Sequence, residues 1–587
     1  MLTPWGEQFH PDAPLPEYPR PQLVRDSYYN LNGPWQYAVT QDAQRPTKAD
    51  GTIIVPYSPE CQLSGVERRI RPGDWLWYIR DFTLPEDFFR GRVLLHFGAV
   101  DQLCSVWLNG VEAGSHSGGY SPFTVDLTEL LKKGSNTLMV CVRDLTDRNE
   151  LPRGKQRLEG TGIWYPGQSG IWQTVWLESV PKNYIRGLKI TPRPEEGLLE
   201  LVVYGQGKCV AGILGKKYAF PAGSTVRVPV PECELWTPEH PKLYYFSVTL
   251  DGVDRVKSYF AMRSISVGPD ENGVPRLLLN GEPYFHNGLL DQGYWSDGQY
   301  TPPADEAMIF DIMTAKDMGF NMLRKHMKVE PDRWYYHCDR LGMLVWQDMP
   351  AGGGEYSPAV ITAPLVTKRH IDDSRYRLFG RESAEGRANF LMELKRMVSH
   401  LYNHPCIVLW VPFNEGWGQF DSQTAVETIH SIDRTRVIDH ASGWHDQGIG
   451  ETQSLHVYFT PYRFKPDKKG RAVLLSEFGG YTLKIAEHSR PERPFGYKPC
   501  GDEKALEKAL CKLYYKQIHP AVEKGLAAAV YTQLSDVETE MNGLMTYDRQ
   551  VVKLSPDVLR PIITGLGEAP EDLEEEEYEE EEDLPEE

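Results

Sequence analysis

A chain of 587 residues, 41% hydrophobic and 11% aromatic, holds enough apolar material for about three or four domains with large cores. Its formal charge of −19 is concentrated at one end: residues 568–587 carry fourteen Asp and Glu and no Lys or Arg, which leaves −5 on the rest. A body so close to neutral, without a basic patch, excludes a nucleic-acid partner, and the lack of any window of about eighteen apolar residues excludes a membrane-spanning helix.

In chain order, the first residues show neither a basic stretch nor an apolar core of a secretory signal. The nine cysteines are scattered singly, with no CxxC and no metal-like spacing, and read as reduced thiols; the expected compartment is cytoplasmic. Residues 1–180 read as all-β. Strand-length apolar runs lie at 93–98, 104–108, 136–142 and 169–177, and Asn109-Gly110 is a strong hairpin signal, which together predict a sandwich of the jelly-roll type. Residues 181–270 form a second, smaller all-β stretch, with strands at 197–204 and 244–250, sized for an immunoglobulin-like sandwich.

From 271 the rhythm becomes strand, helix, strand. Strands are predicted at 284–290, 321–327, 343–349, 407–415, 436–442, 454–459, 472–479 and 526–535, with apolar helix faces at 390–401 and 505–513. Eight strands in about 290 residues predict a (β/α)₈ barrel over 271–567. The helices after the fifth and sixth strands have the least pattern behind them. Residues 351–375, rich in Gly, Pro and Thr, read as a long loop at the barrel top. The acidic residues 568–587 read as a disordered, solvated tail with no catalytic role.

Two glutamates carry most of the chemistry. Glu415 closes the apolar run 407–415 directly after Asn414, and Glu477 closes the run 472–477; glycines follow both. In a parallel barrel such strand ends form the mouth where active sites are built, and two carboxylates there are the minimum equipment for glycoside hydrolysis. Either could instead cap a helix or serve a salt bridge. Arg324, ending the run 320–324, is a candidate partner for Glu477, and a guanidinium beside a nucleophile keeps it ionised. Lys325 and His326 follow on alternating faces, so only one of them is expected to face the centre. Asn414 is placed to hold a sugar hydroxyl, and the glycines after Glu477 are expected to leave room for a ligand.

The segments 407–418, 474–480 and 320–324 resemble the signature regions of glycoside hydrolase family 2, whose members include β-galactosidases, β-glucuronidases and β-mannosidases. The resemblance covers about residues 20–565 and implies three domains: an N-terminal sugar-binding jelly roll, an immunoglobulin-like sandwich and a catalytic barrel. It implies a retaining mechanism, with Glu415 as acid/base and Glu477 as nucleophile, their carboxyl groups about 5–5.5 Å apart. It further suggests Tyr458 and Tyr462, one of whose phenols would bond the nucleophile, with His456 in the same segment. Asp291 becomes a candidate for sugar hydroxyls, and Trp444 and His445 for the pocket wall. No cofactor is implied, a bound Mg²⁺ or Na⁺ enters by family analogy alone, and a homo-oligomer stays open.

Three departures bear on the substrate. Arg324-Lys325-His326 replaces the family's Arg-Thr-Ser-His, and the eighth strand lacks the Trp common there, with Gln533 nearby. Residues 541–544 contain Asn542 but not the Asn-x-Lys with which the family's β-glucuronidases grip a sugar carboxylate. The expected activity is therefore that of a retaining exo-β-glycosidase on terminal neutral sugars, β-galactosides first. A β-glucuronidase with a different carboxylate clamp, for which Arg153 and Lys155 are available, and an inactive carbohydrate-binding protein are the alternatives.

Overall fold

The structure is a computed structural model describing residues 1–365, 367, 369–490 and 494–566; the predicted acidic tail lies outside the described residues. The N-terminal domain packs a four-stranded sheet (Tyr28–Asn30, Val175–Val180, Arg92–Phe97, Phe123–Asp126) on a six-stranded one. The larger sheet runs Gly51–Val55, Gly33–Thr40, Trp75–Thr83, Ser135–Arg143, Leu103–Leu108, Val111–Ser117, and the predicted Asn109-Gly110 turn joins its last two strands. In Leu103–Leu108 buried and half-buried residues alternate, because one sheet face meets the core and the other meets water. The facing residues, among them Trp35, Leu95, Val106 and Leu177, form one apolar cluster. The second domain is a three- and four-stranded sandwich between Gly187 and Phe260, with its own core around Leu201, Val248 and Phe246.

The barrel strands are β1 (His286–Asp291), β2 (Met322–Lys325), β3 (Leu344–Asp348), β4 (Ile407–Val411), β5 (Val437–Ile438), β6 (Thr452–Val457), β7 (Ala472–Gly479) and β8 (Leu526–Thr532). All the ladders are parallel, and the order is β5-β4-β3-β2-β1-β8-β7-β6. β3, β4, β7 and β8 are buried at every position, as strands covered on both faces must be. Helices α1 (Asp305–Asp317), α2 (Asp332–Leu341), α3 (Ala384–Leu401) and α4 (Ser422–His430) follow the first four strands; α5 (Glu503–Leu513) and α6 (Pro556–Thr564) follow the last two. No helix follows β5 or β6 among the described residues.

The barrel does not close its backbone ladder between β5 and β6. Side chains bridge the seam instead: Thr452 Oγ1 donates to the Ile438 carbonyl at 3.2 Å, and Ser454 Oγ to Asp439 at 2.8 Å. The predicted fifth strand is cut to two residues: beyond Ile438 the backbone keeps single bonds to the β4 side, from Asp439 to Trp410 and from Ser442 to Phe413, while the side chains of Asp439, His440 and Ser442 bond other side chains. Among its described residues the 351–375 segment is a loop broken only by the short helix Pro358–Ile361 and the turn Ala363–Leu365.

Both sandwiches dock on the barrel through specific polar bonds. Tyr120 meets Tyr300, hydroxyl to hydroxyl, at 3.0 Å, and Ser121 donates to Glu393 at 2.9 Å. On the other side Trp236 Nε1 donates to the Asp339 carbonyl at 2.7 Å, and Arg263 to the carbonyls of Pro405 and Ile407, both at 2.8 Å.

Candidate active site

The mouth is organised around Arg324, which is fully buried at the end of β2. Its fork reaches four residues on three other strand ends. Nε and Nη2 donate to Asp348 at 3.1 and 2.9 Å, Nη1 to Glu477 and the Ser476 carbonyl at 3.1 and 3.0 Å, and Nη2 also to Asn414 Oδ1 at 2.8 Å. Asp348 also accepts from His326 Nδ1 at 2.6 Å. Contact of both Arg324 and His326 with Asp348 places them on one face, whereas Lys325 points the other way, into Asp291 and Glu330 at 2.6 and 2.8 Å.

Glu477 owes its position to a bulge. Ser476 is one extra residue in β7 against both β6 and β8, which interrupts the alternation at the carboxylate and turns the Ser476 carbonyl to Arg324. Tyr458 donates its hydroxyl to Glu477 Oε2 at 2.5 Å and meets Thr532 at 3.0 Å; its ring stacks on Tyr497 with centroids 4.0 Å apart. Gly479 and Gly480 serve these rings rather than a ligand: a Cβ would meet the Tyr531 ring at 2.3 Å and the Tyr497 ring at 2.4 Å, respectively. This corrects the expectation that they make room for substrate.

Glu415 stands beyond the end of β4 with φ +49°, a strained conformation for a side chain of its kind, held by its N–H donating to the Ser442 carbonyl at 2.9 Å. Its Oε1 bonds His456 Nδ1 at 2.8 Å, and the other ring nitrogen lies 3.6 Å from Glu477 and 3.2 Å from Ser442 Oγ. One oxygen of Glu415, one of Glu477 and a His456 nitrogen all lie within 4.8 Å of one another. The same three atoms could ligate a small cation, although Arg324 already lies against Glu477.

The two carboxyls are driven apart electrostatically. Burial pushes both up. At Glu477 the charges of His456 and Arg324, then His326 and the Tyr458 hydroxyl, outweigh it and hold the group at about 2. At Glu415 burial prevails over the His456 bond, with the neighbouring Glu477 charge adding to it, so the carboxyl is raised. One carboxylate is thus kept ionised and the other inclined to hold a proton.

Of the other predicted site residues, Asn414 has its Nδ2 buried with no partner, and Trp444 lies half-buried with its ring 6.3 Å from that of His456. Two are drawn elsewhere. Asp291 has both oxygens engaged, by Lys325 and the Gly293 N–H at 2.8 Å, so its sugar role is replaced by an ion pair beneath the mouth. Tyr462 is buried in the main core, and its N–H bonds Gln517 behind the barrel wall. His445 anchors the 351–375 loop by accepting from the Ile371 N–H at 3.2 Å and bonding the Val360 carbonyl at 2.9 Å.

Two participants escaped the sequence reading. Asp348 closes the run 344–348 with the same strand-end signal as the two glutamates and was legible in principle. Tyr497 sits in a loop without pattern. Asn542, whose neighbours lack the Lys, is spent on Gln533 at 2.8 Å and Glu540 at 3.1 Å.

Comparisons with known proteins agree with this geometry. Three models of glycosyl hydrolases family 2 match consecutive parts of the chain: the sugar binding domain at 67–181, the central domain at 199–263 and the TIM barrel domain at 276–553. A β-galactosidase of Thermoanaerobacter pseudethanolicus is 24% identical over 61% of this chain and 47% of its own length. A putative β-glucuronidase of Formosa agariphila is 26% identical over 60% of this chain and 41% of its own. The chain thus spans less than half the length of these two relatives. A GH2 β-galacturonidase from Eisenbergiella tayi has the same fold, with a TM-score of 0.69 at 20% identity, covering 94% of this chain and all of that one. With three consecutive family models, a barrel mouth carrying two opposed carboxyls and matching folds, the chain belongs to glycosyl hydrolases family 2.

Proposed function

We propose that the protein is a retaining exo-β-glycosidase working by double displacement on a terminal β-linked sugar. The observation that carries the reading is the pair Glu415 and Glu477, with oxygens within 4.8 Å, one carboxyl raised and the other held at about 2. An inverting enzyme needs about 6.5–9.5 Å between carboxyl groups to seat a water, so this spacing favours retention. Glu477, ionised, attacks the anomeric carbon while Glu415 gives its proton to the leaving oxygen. Glu415, now a carboxylate, takes a proton from water, which releases the sugar from Glu477. Arg324 and Tyr458 hold the nucleophile's oxygens, and the unspent Asn414 Nδ2 can donate to a ring hydroxyl. The singly scattered cysteines, with no CxxC pair, suit a reducing, cytoplasmic setting.

For the glycone two readings stand side by side: a neutral β-galactoside, as in the Thermoanaerobacter relative, which the missing Asn-x-Lys supports, and a β-uronide, as in the Formosa and Eisenbergiella proteins, which Lys155 favours. The mechanism is tested with 2-deoxy-2-fluoro glycosyl fluorides of both sugar types. Glu477 should become covalently labelled, as found by peptide mass spectrometry, and the first product anomer seen by NMR should keep the β configuration. An α product would overturn the scheme.

A further inference from the structure

The jelly-roll loop 151–156 is built into the barrel mouth. The N–H groups of Arg153 and Gly154 both donate to the Ala351 carbonyl, at 2.7 and 2.9 Å, and Gln156 donates to Asp101 at 2.8 Å. Gly154 has φ +61°, and a Cβ there would lie 2.6 Å from the Met327 carbonyl oxygen and 3.0 and 3.1 Å from the hydroxyls of Tyr120 and Tyr300, so only glycine lets the loop sit this deep. The next residue, Lys155, is 5% exposed. Its Nζ lies 5.4 Å from the Tyr165 ring centre and 5.6 Å from that of Trp417, and Trp417 in turn lies 6.1 Å from His326.

What sets Lys155 apart is the lack of a hydrogen-bond or ion-pair partner among the described residues. Of its neighbours, Arg153 is held by the Gly353 carbonyl at 2.5 Å and packs over the Tyr356 ring, and Arg157 packs over Trp164 and faces Asp147 at 3.6 Å. Around the mouth, Arg324 is saturated, Lys325 is paired with Asp291 and Glu330, and Lys553 with Asp536 at 2.7 Å. A buried ammonium without an anion is costly, and two aromatic faces return only part of that cost. The charge is felt at the carboxylates, for Lys155 draws down Glu415 and Asp348 and disfavours protonation of His326. It therefore acts on the pocket that receives the sugar.

We propose that Lys155 is the ligand for a carboxylate on the glycone, so that the substrate is a terminal β-linked uronide and a jelly-roll loop takes the task elsewhere given to the barrel's Asn-x-Lys. This rests on the glycosidase reading above. A carboxylate brings the missing anion, and its two oxygens can use ammonium protons that the rings leave unspent.

The test measures kcat/KM for 4-nitrophenyl β-glucuronide, β-galacturonide and β-galactoside on the full chain, with Lys155→Met and Lys155→Arg beside wild type. Wild type should prefer a uronide to the galactoside. Lys155→Met should lower that uronide-to-galactoside ratio by about 100-fold, the loss expected when one partner of a buried charge pair is truncated, and Lys155→Arg should restore most of it. A ratio unchanged in Lys155→Met, or a wild type that prefers the galactoside, would overturn the inference while leaving the glycosidase reading intact. Thermal shifts with free glucuronate, galacturonate and galactose separate the two readings if nothing is turned over. Uronate stabilisation lost in Lys155→Met would keep Lys155 as the carboxylate ligand and remove the glycosidase reading; no uronate stabilisation in wild type would remove the role of Lys155.

Discussion

Arg324→Met is the most informative single change, because it removes the cation and all five fork bonds at nearly constant volume. Two buried carboxylates, Asp348 and Glu477, then lose their shared partner, which in comparable sites costs about 3–5 kcal/mol. Holding Glu477 at about 2 instead of 4.5 corresponds to an ionised-state preference on the order of 3 kcal/mol, in which His456 and Arg324 are the leading charges. A depressed carboxylate contributes stability that is complete above its unfolded value and is lost as pH falls towards the folded one, here between pH 4.5 and about 2. Without Arg324 the folded carboxylate takes up its proton at higher pH, so that window narrows from its lower end while the upper end stays at the unfolded value. The acidic limb of kcat/KM should move up with that lower end by about one unit or more, since the nucleophile must be ionised. The assays are urea unfolding at pH 7 and a pH profile on an aryl glycoside with a good leaving group. A variant with the wild-type urea midpoint and an unmoved acidic limb would refute the claim that Arg324 holds the nucleophile.

Glu415→Ala should spare glycosides with very acidic leaving groups in the first step and lose those with poor ones, read as a steeper dependence of rate on leaving-group pKa; equal loss across the series would contradict the acid role. His456→Gln should move both limbs of the pH profile to higher pH, because His456 lowers both carboxyls: Glu477 would need a higher pH to ionise and Glu415 would keep its proton longer. A shift of one limb alone would show that His456 serves a single carboxyl. Gly479→Ala should destabilise the fold by about 2 kcal/mol or more in thermal or urea unfolding, since φ is +89° and the new Cβ would meet the Tyr531 ring at 2.3 Å.

The barrel was legible because strands covered on both faces are unbroken apolar runs, and a charge ending such a run, as in 407–415 or 472–477, must lie at its mouth. The same rule would have yielded Asp348. Asp291 obeys the rule and is nevertheless spent in an ion pair, for nothing in the order of residues says which neighbour Lys325 will choose. The glycines at 479 and 480 announce a close approach but not by what; the partners, Tyr531 and Tyr497, lie 52 and 17 positions away. The depth of Lys155 was beyond the sequence, because it depends on how one domain seats on another across about two hundred residues, from Arg153 to Ala351.

The unzipped seam between β5 and β6 divides the site into a firm half and a compliant one. Glu477 stands on β7, which pairs with a strand on each side, and is clamped by Arg324 and Tyr458. Glu415 depends on the Ser442 carbonyl just past β5 and on His456 at the free edge of β6. Across that seam no ladder holds the amides, the Gly443 N–H donating to Ser454 Oγ at 3.2 Å instead, and they should be the first in the barrel to exchange with deuterated solvent. In the proposed mechanism the division suits the work: the carboxylate that would form the bond is fixed, while the one that would hand over a proton and later take one back, from two different oxygens, stands where the wall can give.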